Sequence, residues 1–203
     1  MRLVVGTAAG PGWVDLDLPS SRSRPTALLA LTHGAGAGVE TPDLLAIRGA
    51  ALEAKIAVAL VTQPFRVGGR AAPPKPGPQD ATWREVVAAL LAEKQVAGAP
   101  LVLGGRSNGA RVACRTAKNL GAVAVVALAY PLHPPGKPEK SRLGELESTD
   151  LPTLVVQGNK DAFGMPPEDP RWTRVVVPGD HSLKRDTAAV AGAVVEFVKH
   201  LPR

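Results

Sequence analysis

A serine between two glycines stands near the middle of the chain, in the pentapeptide Gly105-Arg106-Ser107-Asn108-Gly109. An apolar run, Pro100–Leu103, precedes this G-x-S-x-G pattern, and a segment with helical periodicity follows it. In a strand–turn–helix setting the serine hydroxyl is lifted above the end of a sheet, and the turn is too tight for side chains at the glycine positions. The N–H groups that begin the helix can stabilise an oxyanion. The pattern predicts that Ser107 is a nucleophile, the alternative being an incidental serine in a glycine-rich turn.

A serine hydroxyl is a weak nucleophile unless a base removes its proton, so the prediction requires a histidine. His181 lies between the last predicted strand and the last predicted helix, whereas His200 falls in the final helical turn. A carboxylate must also orient the imidazole, and Asp161 follows the penultimate predicted strand. Each residue alone fits an ordinary turn or surface position, but their chain order predicts a Ser107–His181–Asp161 triad. Asp180, next to His181, is the competing acid.

Apolar strands that alternate with amphipathic helices must position these residues. The alternation predicts an α/β fold, a three-layer sandwich with a mostly parallel, doubly wound sheet, as a single domain over residues 1–203. The predicted strands are Arg2–Val5, Val14–Leu18, Thr26–Thr32, Ala57–Thr62, Pro100–Leu103, Ala122–Ala129, Thr153–Gln157 and Arg174–Val177. Helices are predicted from Thr41 onwards, from the Thr82/Glu85 capping box to Leu91, and over Ser107–Leu120, Leu143–Leu146 and Thr187–Leu201, with a polar linker at Ser21–Pro25 and a loop at Gln63–Pro78.

Composition and charge narrow the range of functions. The net charge of +6 comes from scattered lysines and arginines without a nucleic-acid-binding motif, so no specific nucleic acid partner is expected. A single cysteine, Cys114, favours a reducing compartment and a cytoplasmic location. The longest apolar run, Ala122–Tyr130, is too short to span a membrane. Because no residues have metal-ligand spacing, we expect neither a metal nor another cofactor, and either a monomer or a homodimer fits the sequence.

Four segments, GGRSNGAR, LTHGAGAG, LPTLVVQGNKDAFG and GDHSLK, resemble the α/β-hydrolase family in its dienelactone-hydrolase-like branch. More narrowly, the chain resembles small bacterial proteins related to a human subunit of a chromatin-modifying complex. The resemblance implies an oxyanion hole formed by the backbone N–H groups of Ala35 and Asn108, with His33 as a structural hydrogen-bonding residue. Dienelactone hydrolases use a cysteine nucleophile, whereas Ser107 stands here and Cys114 lies on the packed face of a helix, so dienelactone is not assumed as substrate.

Four residues near the expected ends of strands are candidates for binding substrate: Phe65, Arg66, Arg106 and Tyr130. Arg66 and Arg106, with Arg70, would favour an acidic substrate, or they are simply surface charges. Both interpretations remain open on the sequence alone.

The segment Pro131–Pro152, where this fold usually carries a lid, has room for only one short helix. The site is therefore expected to be lidless, shallow and open. The leading hypothesis is a carboxylesterase-like serine hydrolase acting on a small-molecule ester. The alternative is a binding or scaffold protein that kept the fold, since a fold alone does not determine function.

Overall fold

A computed structural model describes residues 1–20 and 24–202. Part of the predicted linker, residues 21–23, lies outside the described residues, as does residue 203. The strands are β1 (Arg2–Thr7), β2 (Gly10–Asp17), β3 (Leu28–Thr32), β4 (Ala57–Thr62), β5 (Leu101–Arg106), β6 (Ala124–Leu128), β7 (Thr153–Gly158) and β8 (Trp172–Val177). The helices are α1 (Pro42–Glu53), α2 (Pro64–Val67), α3 (Pro76–Leu91), α4 (Asn108–Thr116), α5 (Leu143–Glu147) and α6 (Thr187–Lys199), with a 3-10 turn at Lys118–Leu120.

The described strands form one eight-stranded sheet in the order β1-β2-β4-β3-β5-β6-β7-β8. Strand β2 pairs antiparallel with β1 and with β4, and every pairing from β4 to β8 is parallel. The predicted α/β class with a mostly parallel sheet is confirmed.

Helices cover both faces of the sheet and make it the middle of three layers. Helices α1 and α6 pack against each other on one face, and α3 and α4 lie on the other. The central strands are buried along their whole length, which explains why they read as continuous apolar runs rather than alternating ones. The largest fully buried side chain is Trp83 of α3. In the described part of the chain, no helix is both long and apolar enough to cross a bilayer.

The region before the predicted capping box contains more helix than the sequence suggested. The predicted loop Gln63–Pro78 contains α2, and α3 begins at Pro76, six residues before Thr82. Proline suits the first turn of a helix because its missing N–H has no partner there anyway. The Thr82 hydroxyl donates to the carbonyl of Gln79, 3.0 Å away, as a residue inside a helix does. The capping-box prediction was therefore wrong.

Four parallel strands deliver the chemically interesting residues to one edge of the sheet. The loops that carry His33, Ser107, Asp161 and His181 follow the carboxyl ends of β3, β5, β7 and β8. Ligands bind at this edge in open α/β sheets, because all the parallel strands end there.

Candidate active site

Ser107 sits in a strained turn between β5 and α4. Its backbone has φ 54° and ψ −113°, a conformation rare for a residue with a side chain. Its N–H donates to the carbonyl of Leu128, 2.8 Å away. A methyl group on Gly105 would come within 2.7 Å of the Thr32 carbonyl oxygen, and one on Gly109 within 2.6 Å. Only glycine fits at either position, as the G-x-S-x-G spacing predicts.

One hydrogen-bonded chain joins the three residues of the predicted triad. His181 Nε2 lies 2.8 Å from Ser107 Oγ, and His181 Nδ1 lies 2.8 Å from Asp161 Oδ2. An ionised carboxylate only accepts hydrogen bonds, so Nδ1 carries the proton and Nε2 is free to accept from the serine hydroxyl. The ring of Phe163 stacks on the imidazole, with 4.1 Å between ring centres. The arrangement holds a base against a serine hydroxyl.

The Asp161 carboxylate is fully buried and held by two further donors. Its Oδ1 accepts the N–H of Phe163 at 2.8 Å, and its Oδ2 accepts Nε2 of Gln157 at 2.8 Å. Gln157 is itself buried at the end of β7, a position the sequence analysis did not single out. The sequence signal that could have identified Gln157 is a polar residue at the end of an otherwise apolar strand. The competing acid, Asp180, instead accepts the N–H and the hydroxyl of Ser182.

The two residues of the expected oxyanion hole, Ala35 and Asn108, line the same cavity as Ser107. Among the described residues, neither backbone N–H donates to a protein acceptor. Asn108 is fixed from below, because its Oδ1 accepts Nε2 of Gln79 at 2.6 Å. The same Gln79 amide donates to Oε1 of Gln63 at 2.8 Å. Both cavity-lining residues thus have a backbone donor without a partner in the described part of the chain, as an oxyanion hole requires.

His33 has the structural role that the family resemblance implied. Its Nε2 accepts the N–H of Gln63 at 3.0 Å, so its Nδ1 proton is donated to the carbonyl of Gly34 at 2.8 Å. Burial, reinforced by the nearby Arg66 charge, lowers the pKa of His33 and keeps the ring neutral. The pairing fixes the start of the loop that carries Ala35.

A cavity of about 500 Å³ opens above Ser107, and it revises the candidates for substrate binding. Of the four candidates, Arg106 lines it, whereas Phe65, Arg66 and Tyr130 are not among its described lining residues. Phe65 is buried beside the His33 ring, and Tyr130 is fully buried in the core. Both are large and apolar enough to pack into the interior.

Arg106 reaches the cavity but is already engaged. Its Nη2 donates to the carbonyl of His181 at 2.8 Å, and its Nε lies 3.3 Å from Oδ2 of Asp43. The guanidinium thus links the elbow, the histidine loop and the first turn of α1.

The chain matches the family model of an alpha/beta hydrolase domain over residues 25–191. It belongs to this family. The fold is shared with a lidless α/β serine hydrolase from Xanthomonas campestris, at a TM-score of 0.77 and 21% identity over 100% of this chain and 95% of that one. The fold is also shared with a dienelactone hydrolase from Anabaena variabilis, at a TM-score of 0.78 and 17% identity over 100% of this chain and 98% of that one.

Est1E from Butyrivibrio proteoclasticus, solved with ferulic acid bound, also gives a TM-score of 0.78, at 16% identity over 98% of each chain. These identities establish a common fold and no more. A search of curated protein sequences found no match. The narrower resemblance to relatives of a human chromatin-complex subunit stays a prediction.

An ion-pair network extends from the cavity wall of this hydrolase domain, beginning at the lining residue Arg111. Arg111 donates to both carboxylate oxygens of Glu145, at 2.5 and 2.8 Å, and Arg115 bridges Glu145 to Asp80. Burial alone would raise the pKa of Glu145, but the two arginines outweigh it and hold the pKa below its ordinary value. The network ties α4 to α3 and to α5.

The single cysteine, Cys114, is not activated as a nucleophile. Burial raises the pKa of the Cys114 thiol to about 12, so the thiol stays protonated at neutral pH. Within residues 1–20 and 24–202, no group of three or more His, Cys, Asp or Glu side chains is placed to hold a metal ion.

Proposed function

We propose that this hydrolase domain is a serine hydrolase that cleaves small esters through a covalent acyl-enzyme. The observation that carries the proposal is the unbroken chain of 2.8 Å hydrogen bonds from Ser107 through His181 to the buried Asp161. It stands beside two backbone N–H groups that have no partner among the described residues.

In the first half-reaction, Ser107 Oγ attacks the ester carbonyl carbon while His181 Nε2 takes the hydroxyl proton. The carbonyl oxygen becomes an oxyanion, which the N–H groups of Ala35 and Asn108 stabilise. Collapse of this intermediate breaks the bond to the alcohol oxygen, and the imidazolium returns its proton to the leaving alcohol. The acyl group is left on Ser107.

In the second half-reaction, water attacks the acyl carbon and gives one proton to His181 Nε2. Collapse then breaks the bond to Ser107 Oγ, which recovers the proton from the imidazolium, and the carboxylic acid leaves. Asp161 stays ionised throughout and stabilises the imidazolium of both steps. No metal is required, so activity should survive dialysis against EDTA.

The proposed substrates are short because little covers the site. The described segment between β6 and β7 contains one short helix, α5, where this fold often carries a lid. A buried methylene contributes about 0.8 kcal/mol, and an open cavity buries few of them. We therefore expect efficiency on nitrophenyl esters to peak at about two to four acyl carbons. The lidless Xanthomonas hydrolase, which shares this fold, supports an uncovered site.

The test is to replace the nucleophile. Ser107→Ala should lower turnover of nitrophenyl acetate by about 10⁴- to 10⁶-fold while the protein stays folded. A fluorophosphonate should label the native chain at Ser107 and leave the variant unlabelled. Labelling at another residue, or full activity in the variant, would contradict the proposal. Absence of both labelling and turnover in the native chain would favour the scaffold alternative.

A further inference from the structure

The cavity above Ser107 has an unbalanced charge. Three arginines line it, Arg106, Arg111 and Arg142, and its described lining contains no aspartate or glutamate. Behind the wall, Arg106 pairs with Asp43 and Arg111 pairs with Glu145. Arg115, outside the lining, has Asp80 as its own partner. Within the described chain, Arg142 has no carboxylate within 4 Å, so this arginine of the cavity wall forms no ion pair, and Glu145 acts on it only from a longer distance.

Arg142 is held in place by the segment that follows β6. Its backbone N–H donates to Leu132 at 2.7 Å, and its carbonyl accepts the hydroxyl of the buried Tyr130 at 2.8 Å. Its Nη1 donates to the carbonyl of Pro131 at 3.0 Å. The guanidinium has five N–H donors, and this is its single protein hydrogen bond within the described chain. A fixed cation with spare donors is preorganised to bind an anion.

The surroundings favour an anion beside this cation. Burial and the charge of Arg111 lower the pKa of Arg142, against the opposing charge of Glu145. The neighbouring walls, Pro73, Pro131 and Phe163, are apolar and leave a short aliphatic or aromatic group little polar competition.

We propose that Arg142 binds a carboxylate of the substrate, so that the preferred substrates are short esters that carry one free carboxylate. The planar guanidinium fork matches a carboxylate, and a single cation without an ion pair matches a monoanion. This inference rests on the proposed function for the reaction, but the anion site itself does not require turnover. Tyr130 then contributes by holding the Arg142 backbone rather than by contacting substrate.

The experiment compares esters of equal length with and without the charge. The acyl-side pair is nitrophenyl monoglutarate and nitrophenyl pentanoate, and the alcohol-side pair is 4-carboxyphenyl acetate and phenyl acetate. In at least one pair, kcat/KM should favour the anion by about 10- to 100-fold, as expected for a charge-assisted hydrogen bond. The preference should shrink as salt is added.

Two variants of Arg142 separate recognition from structure. Arg142→Gln should abolish the preference while keeping activity on the neutral ester, and Arg142→Lys should keep part of it. Arg171→Gln is the matched control, because this half-exposed arginine pairs with Asp169 and is not among the described lining residues of the cavity, and it should behave like the native chain. Equal efficiency within both pairs, or a preference that survives Arg142→Gln, would overturn the inference.

A binding measurement distinguishes this failure from failure of the proposed function. Monomethyl glutarate should raise the melting temperature of Ser107→Ala, and adding Arg142→Gln should remove the rise. Binding that depends on Arg142, without any ester turnover, would support the anion site and refute the hydrolase proposal. Turnover of neutral esters without any such binding or preference would refute the anion site and support the hydrolase proposal.

Discussion

The ion pair between Arg106 and Asp43 couples the elbow to the helix behind it, and a substitution of Arg106 should reveal that coupling. The Asp43 side chain is 0% exposed and that of Arg106 is 13% exposed. Among the described residues, neither carboxylate oxygen of Asp43 has a hydrogen-bond partner. Arg106→Gln would therefore leave a buried carboxylate with its countercharge removed.

The loss of stability follows from the cost of an unpaired buried charge. Breaking one partner of a buried pair costs about 3–5 kcal/mol. Asp43 lies in the first turn of α1, where the helix N-terminus offsets about 0.3–1 kcal/mol. We expect Arg106→Gln to lower the free energy of unfolding by roughly 2–4 kcal/mol. Asp43→Asn leaves Arg106 without its countercharge, but that guanidinium keeps the His181 carbonyl and lines the open cavity, so the loss should be about 1–2 kcal/mol.

Urea unfolding at pH 7 measures these differences through the midpoint, with the denaturant slope unchanged. The double variant should lose less than the sum of the single losses, by about 1–3 kcal/mol. Arg48→Gln breaks a pair whose arginine is 41% exposed, and it should change stability far less. Additive losses, or a loss for Arg106→Gln no larger than for Arg48→Gln, would refute the reasoning.

Three further predictions concern the triad, the thiol and an acid transition. Asp161→Asn should lower ester turnover by about 10⁴-fold, because the imidazole takes the wrong tautomer, while Asp180→Asn changes it little; the reverse would identify Asp180 as the acid. Cys114→Ala should keep activity, and iodoacetamide should leave the native thiol unlabelled; inactivation by either would contradict the buried, protonated thiol. The lowered pKa of folded Glu145 stabilises the protein above its unfolded pKa of about 4.3, and this stability is lost as pH falls through the folded value. Glu145→Gln should therefore destabilise the chain at pH 7 and less at pH 3, and equal losses at both would disagree.

The features that were predicted correctly from the sequence depend mainly on residues close together in the chain. Strand β4 was predicted over the residues it occupies, Ala57–Thr62, because a short unbroken apolar run is typical of a strand buried on both faces. The elbow glycines are required by contact with the Thr32 carbonyl of β3, but their spacing around the serine is a local signal. The order of Ser107, Asp161 and His181 then follows from the order in which parallel strands end at one edge of the sheet.

Contacts between residues far apart in the chain could not be predicted from the sequence. Asp43 precedes Arg106 by more than sixty residues, and nothing in either local pattern points to the other. Tyr130 follows the end of β6, and proximity to a strand end predicted a place in the cavity. Its burial decided otherwise, since the ring packs in the core and the hydroxyl supports Arg142. The position of residues just after strand ends therefore locates the site, but side-chain packing decides which of those residues face it.

The strained serine turn is held from both sides by buried polar contacts. A residue with side chain at positive φ costs about 1–3 kcal/mol and persists only when its surroundings over-determine it. On one side Arg106 is tied to Asp43 and to the His181 carbonyl, and on the other Asn108 is tied to Gln79. The same contacts that fix the serine therefore fix the loop of His181 and Asn108, whose N–H is proposed to stabilise the oxyanion. The strained backbone of Ser107 and the positions of its partners are consequently coupled. Because the same contacts hold them, the turn cannot relax unless the partners move as well.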